Sequence, residues 1–213
     1  MSTKKRSVDQ SGMSFIEKAR RAQIVECAIE TICNLGFVQA SLGQIAKQAG
    51  ISKGVISYHF SSKDDLIQQV VTEVYTIAAS FMQPMIEAET TPKGMLKAYI
   101  ESNLAFVESH RKHVVAVVEI VTNTRTKDGE LRFADDSTQS ILNPLIELLR
   151  WGEQEGEFRK FSELGIRVLA TTIRLAIDDF GVQIIKNPEL DTEAYAQELV
   201  MLFSLATQAS SGS

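Results

Sequence analysis

The sequence predicts an all-α fold of about nine helices, and three features predict it. Apolar residues recur at three- and four-residue spacing through most of the chain. Small polar residues that can cap a helix stand just before several of these runs, some with Glu or Gln three positions later. Twelve Gly and four Pro in 213 residues are too few for a sandwich of many turns. A hydrophobic fraction of 44% against 23% charged is that of a chain with a core to bury.

Residues 1–13 are polar and basic, with Lys4, Lys5 and Arg6, and predict a disordered arm. Such an arm either lies along a polyanion or merely keeps the chain soluble. Ser14 with Glu17 predicts a capping box at the start of a helix that Gly36 ends. Ile24, Cys27, Ala28, Thr31 and Ile32 are its apolar face. Arg20 and Arg21, near its start, can reach phosphates or stay solvated.

Ser41 to Asp65 predicts two short helices joined by a tight turn, then the start of a third. Ser41 caps the first, with Gln44 three residues on, and Leu42, Ile45, Ala46 and Ala49 make its apolar face. Gly50 suits the left-handed residue that closes a helix, and Ser52 can cap the next one. Within that second helix Ile56 and Phe60 are one turn apart and form the anchored stripe. Gly54 and Tyr58 lie opposite, flanked by Val55 and Ser57. A helix held by one stripe and free along the other is built like a DNA-reading helix-turn-helix.

Ser62 predicts the cap of a long helix with Asp64 and Asp65 in its first turn, where negative charge suits the helix dipole. Its apolar positions run from Leu66 to Met82, and Pro84 is expected to kink or end it. Beyond it the chain reads as helical throughout. Thr91-Pro92 opens one helix. The Val-rich run of about Arg111 to Thr122 is read as helix rather than strand, since no partner strand is near. Asn123 to Glu130 reads as a polar loop. Helices of about Leu131 to Gly152 (with Pro144 as a possible kink), Ser162 to Lys186 and Thr192 to Ala209 complete the chain. The helix from Ser162 is apolar on most sides, which calls for cover on most sides, and a second copy of the chain is the natural cover.

The net charge is −5, but it is divided unevenly. Through Lys63 there are nine basic and four acidic residues; beyond it, thirteen and twenty-three. A basic head on an acidic body fits a chain that meets phosphates with one end. Cys27 and Cys33 lie on one predicted helix, too far apart to pair, and are expected to be reduced and partly buried. No uncharged run approaches the roughly 18 residues that span a bilayer, and no leader opens the chain, so a cytoplasmic location is expected.

Ile45-Ala46, Ala49-Gly50-Ile51-Ser52-Lys53-Gly54, Tyr58-His59-Phe60 and Ser62-Lys63-Asp64-Asp65-Leu66 resemble the TetR family of bacterial repressors. The resemblance is continuous from Arg21 to Val71. A weaker one lies in Ala176-Ile177-Asp178-Asp179-Phe180-Gly181-Val182-Gln183 followed by Asn187-Pro188, where Asp179 and Phe180 replace the family's usual Gly and Leu. The resemblance implies a helix-turn-helix DNA-binding domain over 14–61 and a larger helical ligand-binding and dimerisation domain over 62–209. It implies a palindromic duplex operator, a homodimer through the last two helices, and release from DNA by a small molecule, here expected to be mostly apolar. Half-sites would lie roughly 34–36 Å apart or a multiple of that.

The expected DNA contacts are Ser41, Ser52, Lys53, Gly54, Val55, Ser57, Tyr58, His59 and Lys63. Ser52 and Lys53 begin the recognition helix, where backbone donors favour phosphate. Gly54 admits the backbone to the groove, Val55 suits a thymine methyl and Ser57 a base edge. Tyr58, His59 and Lys63 match family positions that contact phosphates. Candidate lining residues for the ligand are Phe81, Met85, Met95, Tyr99, Phe106, Glu119, Trp151, Asp178 and Phe180, each also suited to plain core packing. Glu119 or Asp178 could attract a cationic ligand. A regulator of this fold with no small-molecule inducer, an activator or one controlled by a partner protein, is the alternative.

An enzyme is not expected. Asp179-Phe180-Gly181 spells the kinase metal-binding triplet, but no glycine-rich phosphate loop or His-Arg-Asp loop accompanies it. Asp178 and Asp179 are adjacent on a helix and point about 100° apart, so they do not share a site. His110 and His113 could bind a metal with Glu108 nearby; a structural or solvated role is the simpler reading, and no metal or cofactor is expected.

Overall fold

The computed structural model describes residues 14–133 and 136–209, without the side chains of 136–140. The predicted arm over 1–13 lies outside the described residues. Those residues form nine α-helices: α1 (Phe15–Leu35), α2 (Leu42–Gln48), α3 (Lys53–His59), α4 (Lys63–Glu87), α5 (Pro92–Ser109), α6 (Arg111–Asn123), α7 (Asp136–Gln154), α8 (Glu163–Lys186) and α9 (Thr192–Thr207).

The chain forms two compact units. One runs through Tyr75 and takes in Val115–Asn123; the other holds Thr76–Val114 and everything from Thr124. Helices α4 and α6 therefore each carry residues of both units. The expected boundary at Ser62 leaves out the first half of α4 and the second half of α6, which belong with the head.

In the first unit the Ser14–Glu17 capping box forms as predicted, with Glu17 Oε2 accepting from the Ser14 amide at 2.7 Å. Ile24, Ala28, Ile29 and Ile32 of α1 are fully buried with Ile45, Ile56 and Leu66 of the next three helices. Each such isoleucine or leucine side chain is worth about 1.5–3 kcal/mol. Gly50, at φ 64°, closes α2 with Gly50 N–H donating to the Lys47 carbonyl and Ile51 N–H to that of Ala46, the left-handed helix stop that a Cβ would strain.

In the second unit α5 packs on α7, α8 and α9, and α7 on α8. Their shared core includes Leu96, Ile100, Leu104, Leu149, Ile173, Ile177, Phe180 and Phe203. The Val-rich segment is helix, as expected. The loop after it carries an isolated antiparallel bridge, Arg125 with Leu131, turning at Gly129 with φ 88°. Pro84 does not end α4, which continues to Glu87. Pro84 and Ser80, the residue four back whose carbonyl loses its donor, are both exposed, so that carbonyl lies on the solvent side of the helix. Pro144 likewise sits inside α7 on an exposed face. No helix of the described residues is long and apolar enough to cross a membrane.

Candidate nucleic-acid interface

Helix α3 is held from behind at its middle and at its C-terminal end. Ile56 and Phe60 are buried, the latter closing the helix as its C-cap. The Arg21 guanidinium lies 4.1 Å from the centre of the Phe60 ring and donates to the His59 carbonyl, so α1 grips the end of α3. Arg21 is thus a structural cation rather than a free one. Arg20 is turned outward and donates to Gln23 at 2.6 Å. The Tyr58 hydroxyl donates to Glu17 Oε1 at 3.4 Å, and the Tyr58 and His59 rings meet edge to face at 5.0 Å. A surface hollow is lined by Ser14, Ile16, Glu17, Arg20, Tyr58 and His59.

The outward stripe is free. Lys53, Gly54, Ser57 and Tyr58 are exposed, Tyr58 by 75%, and Val55 and His59 are half-buried beside them. Ser52 has the extended backbone of an N-cap, but its hydroxyl makes no capping bond, which departs from expectation and leaves the group open to an external partner. Ser41 does cap, accepting from the Gln44 amide at 3.2 Å. A Cβ built on Gly54 meets only Ser52 Oγ at 3.6 Å, an ordinary contact. Nothing among the contacts within the fold requires glycine there.

Lys63 is placed otherwise than predicted. Its ammonium donates to the Phe37 carbonyl at 3.2 Å and lies 4.6 Å from the Phe37 ring centre. Burial pushes its pKa down, partly offset by Asp64. One of its three donors is spent on the turn between α1 and α2, and the side chain is half-buried. Glu119 also departs from expectation. It belongs to the first unit, where Oε2 accepts from the Phe37 amide at 3.0 Å. Phe37, with its amide, carbonyl and ring all engaged, ties α4 and α6 to the α1–α2 turn. No feature of the sequence marked it beyond its apolar position after Gly36.

In the second unit, Phe180 is fully buried, 5.0 Å from the Tyr195 ring, and Phe106 is buried against Phe81 at 5.8 Å. Met95, Tyr99 and Trp151 are partly buried against the core, and Met85 is 39% exposed. Asp178 is not a free carboxylate: Arg174, one turn earlier, donates to it. His110 stacks on Phe106 at 4.4 Å and meets His113 edge to face. Among the described residues no group of three or more His, Cys, Asp or Glu is placed to hold a metal.

Residues 24–70 match the family model described as bacterial regulatory proteins, tetR family. The segment that carries the helix-turn-helix is thus similar in sequence to the TetR family. It is 28% identical over 89 residues to the regulator BetI 1 of Chromohalobacter salexigens, covering 41% of this chain and 44% of that protein. The match thus spans less than half of that relative. It is 27% identical over 165 residues to the fatty acid metabolism regulator protein of Bacillus subtilis, covering 76% of this chain and 82% of that one. The crystal structure of FadR from Bacillus subtilis in complex with stearoyl-CoA superposes with a TM-score of 0.72 at 24% identity, covering 86% of this chain and 97% of that one. The ketosteroid regulator KstR2 of Mycobacterium tuberculosis superposes at 0.69 with 18% identity, covering 90% and 96%. At these identities the two structures establish the fold.

Proposed function

We propose that this chain is a TetR-family DNA-binding transcriptional repressor that grips a palindromic operator as a homodimer and lets go when an amphiphilic small molecule binds its body. The observation that carries the reading is α3: one stripe buried on α1, the other presenting Lys53, Gly54, Ser57 and Tyr58. Arg, Asn and Gln are absent from this helix, so specificity rests on modest groove contacts and on DNA shape.

The dimer forms through α8 and α9. Leu164, Val168 and Leu175 on α8, and Met201, Leu202 and Leu205 on α9, are each more than half exposed. Six large apolar side chains on two neighbouring helices form the kind of patch that a second copy covers. The effector is of the long-chain acyl class, by analogy with the stearoyl-CoA in the Bacillus FadR structure. Effector binding in the second unit reaches the first through α4 and α6, the helices that carry residues of both.

The test begins with selection of duplexes from a random pool, followed by binding assays on the winner. A dimer by sedimentation and salt-sensitive binding are expected. Tyr58→Phe should weaken binding about equally on all duplexes, by about threefold to tenfold, whereas Val55→Ala and Ser57→Ala should change base preference. A monomer with no duplex affinity at low ionic strength ends the proposal, and DNA affinity unmoved by any acyl compound ends its effector half.

A further inference from the structure

The basic charge of the first unit is not concentrated on α3. That helix carries one lysine, Lys53, and no arginine. Lys63 is half-buried, with one donor on the Phe37 carbonyl, and Arg21 is spent on the His59 carbonyl and the Phe60 ring. Six of the nine basic residues up to Lys63 stand instead within the first twenty-one positions: Lys4, Lys5, Arg6, Lys18, Arg20 and Arg21. Only Asp9 and Glu17 oppose them there. Cations on phosphates supply the sequence-independent share of affinity for a duplex. A head whose outward helix is nearly uncharged must draw that share from elsewhere on its surface.

The fold brings the start of α1 to the end of α3. Ser14, Ile16, Glu17 and Arg20 line one surface hollow with Tyr58 and His59. The Tyr58 hydroxyl donates to Glu17 Oε1 at 3.4 Å and so joins the two helices there. Glu17, the acid of the hollow, also accepts from the Ser14 amide at 2.7 Å. Arg20 is exposed and gives Gln23 one of its five donors. A backbone strand that meets Tyr58 and His59 therefore passes Arg20 as well, and the chain before Ser14 leaves from the same place. In B-DNA the strand that walls the major groove on one side walls the minor groove, about 6 Å wide, on the other. Lys4, Lys5 and Arg6 stand eight to ten residues before Ser14. Eight extended residues reach at most about 26–29 Å, enough to cross one strand. Narrow A·T minor grooves carry an enhanced negative potential that attracts such side chains.

We propose that the head takes two neighbouring grooves at once: α3 in the major groove, Arg20 with Tyr58 and His59 on the strand between, and Lys4, Lys5 and Arg6 in the adjoining minor groove. The proposal rests on the DNA-binding reading above and adds a second reading element to it. That element selects A·T pairs beside each half-site and disfavours G·C pairs, whose guanine amino group stands in the minor groove.

The test uses the full chain and the duplex it selects from a random pool, rebuilt with A·T, G·C or inosine·C pairs beside the half-sites. Inosine·C keeps the major-groove edge of G·C and lacks its minor-groove amino group. Wild type should bind the A·T and inosine·C duplexes alike and the G·C duplex about fivefold to tenfold more weakly. The triple variant Lys4→Ala, Lys5→Ala, Arg6→Ala should bind all three alike, and its plot of log affinity against log salt should be shallower by about 2–3. Arg20→Gln should make that slope shallower by about 1 and keep the preference among duplexes. A triple variant with the slope and preference of wild type overturns the proposal, and is what a merely solubilising segment would give. A wild type indifferent to the three duplexes overturns the minor-groove placement, even where the triple variant has the shallower slope of lost phosphate contacts. An Arg20→Gln slope equal to that of wild type overturns the strand contact, and the triple variant carries the groove test whether or not Arg20→Gln folds. If wild type binds its duplex and only these differences are missing, the DNA-binding reading stands and the second contact falls; if it binds no duplex, both fall.

Discussion

The two units place polar groups in opposite ways. In the first, α3 keeps Ile56 and Phe60 inward and turns Lys53, Ser57 and Tyr58 outward. Contacts with a partner would cost nothing in folding, since the side chains are solvated already. In the second, the buried Asn103 accepts from Arg174, a partly buried side chain 71 positions away in sequence. There a polar group is tolerated only because its partners are built in. A surface that reads a partner is therefore written locally along one helix, whereas an interior polar contact is written by residues distant in sequence.

The comparison can be broken first where packing is tightest. Phe158, 3% exposed, lies on Gly152, and a Cβ there would stand 1.9 Å from its ring. Phe158→Ala should cost about 3–5 kcal/mol, and Gly152→Ala about 1–3 kcal/mol or more, because a buried ring has nowhere to go. Denaturant unfolding followed by Trp151 fluorescence measures both. If either variant is as stable as wild type, the core of the second unit is looser than described.

Glu119→Gln is the next effect in size. It leaves the Phe37 amide a weaker, neutral acceptor, and Glu119→Ala leaves none, at a cost of about 1–3 kcal/mol. The loss should appear as faster amide exchange around Gly36–Phe37 and in the head, not around α8. Slower or unchanged exchange at Phe37 would show that the carboxylate does not hold the turn.

What could be read from the sequence follows the same division. Caps and stops are local, so the Ser14–Glu17 box, the Gly50 turn, Pro92 at a helix start and the anchored stripe of α3 were all legible. Pro84 could be read only as a kink or an end, because which of the two it makes depends on whether the carbonyl at Ser80 faces solvent, a matter of tertiary placement. Lys63 and Glu119 were legible as charges but not as partners of Phe37, which lies 26 and 82 positions away. For the same reason nothing in the sequence singles out Arg174 on α8, and Asp178 reads as a possible draw for cations.

Gly54→Ala sharpens the contrast because stability and function should move in opposite directions. The added methyl meets only Ser52 Oγ at 3.6 Å, and alanine favours helix by up to about 1 kcal/mol. The variant should melt at the same temperature or higher, yet bind operator more weakly by about tenfold if the groove approaches the backbone there. Lower stability would mean that the glycine serves the fold; unchanged DNA affinity would mean that this face stays clear of the groove.

The smallest effect concerns Glu17, where the head's outer surface meets its own capping. The Ser14 backbone amide, then the Ser14 hydroxyl, hold the Glu17 carboxyl below its ordinary value of 4.5, with smaller help from Tyr58 and His59. A carboxyl whose folded pKa is lowered stabilises the fold above its unfolded value and loses that contribution as pH falls through the folded one. Glu17→Gln should therefore leave stability lower at pH 7 by a small amount and flatten its decline below about pH 4.5 relative to wild type. The same substitution frees the Tyr58 hydroxyl from a negative neighbour on the face proposed to meet phosphates, so DNA affinity should hold or rise slightly even as stability falls. Parallel melts from pH 3 to 7 and binding curves at one salt concentration read both. A fall in DNA affinity with Glu17→Gln would instead mean that the carboxylate is needed to position Tyr58, and the outer stripe of α3 would then depend on α1 for its aim as well as its anchorage.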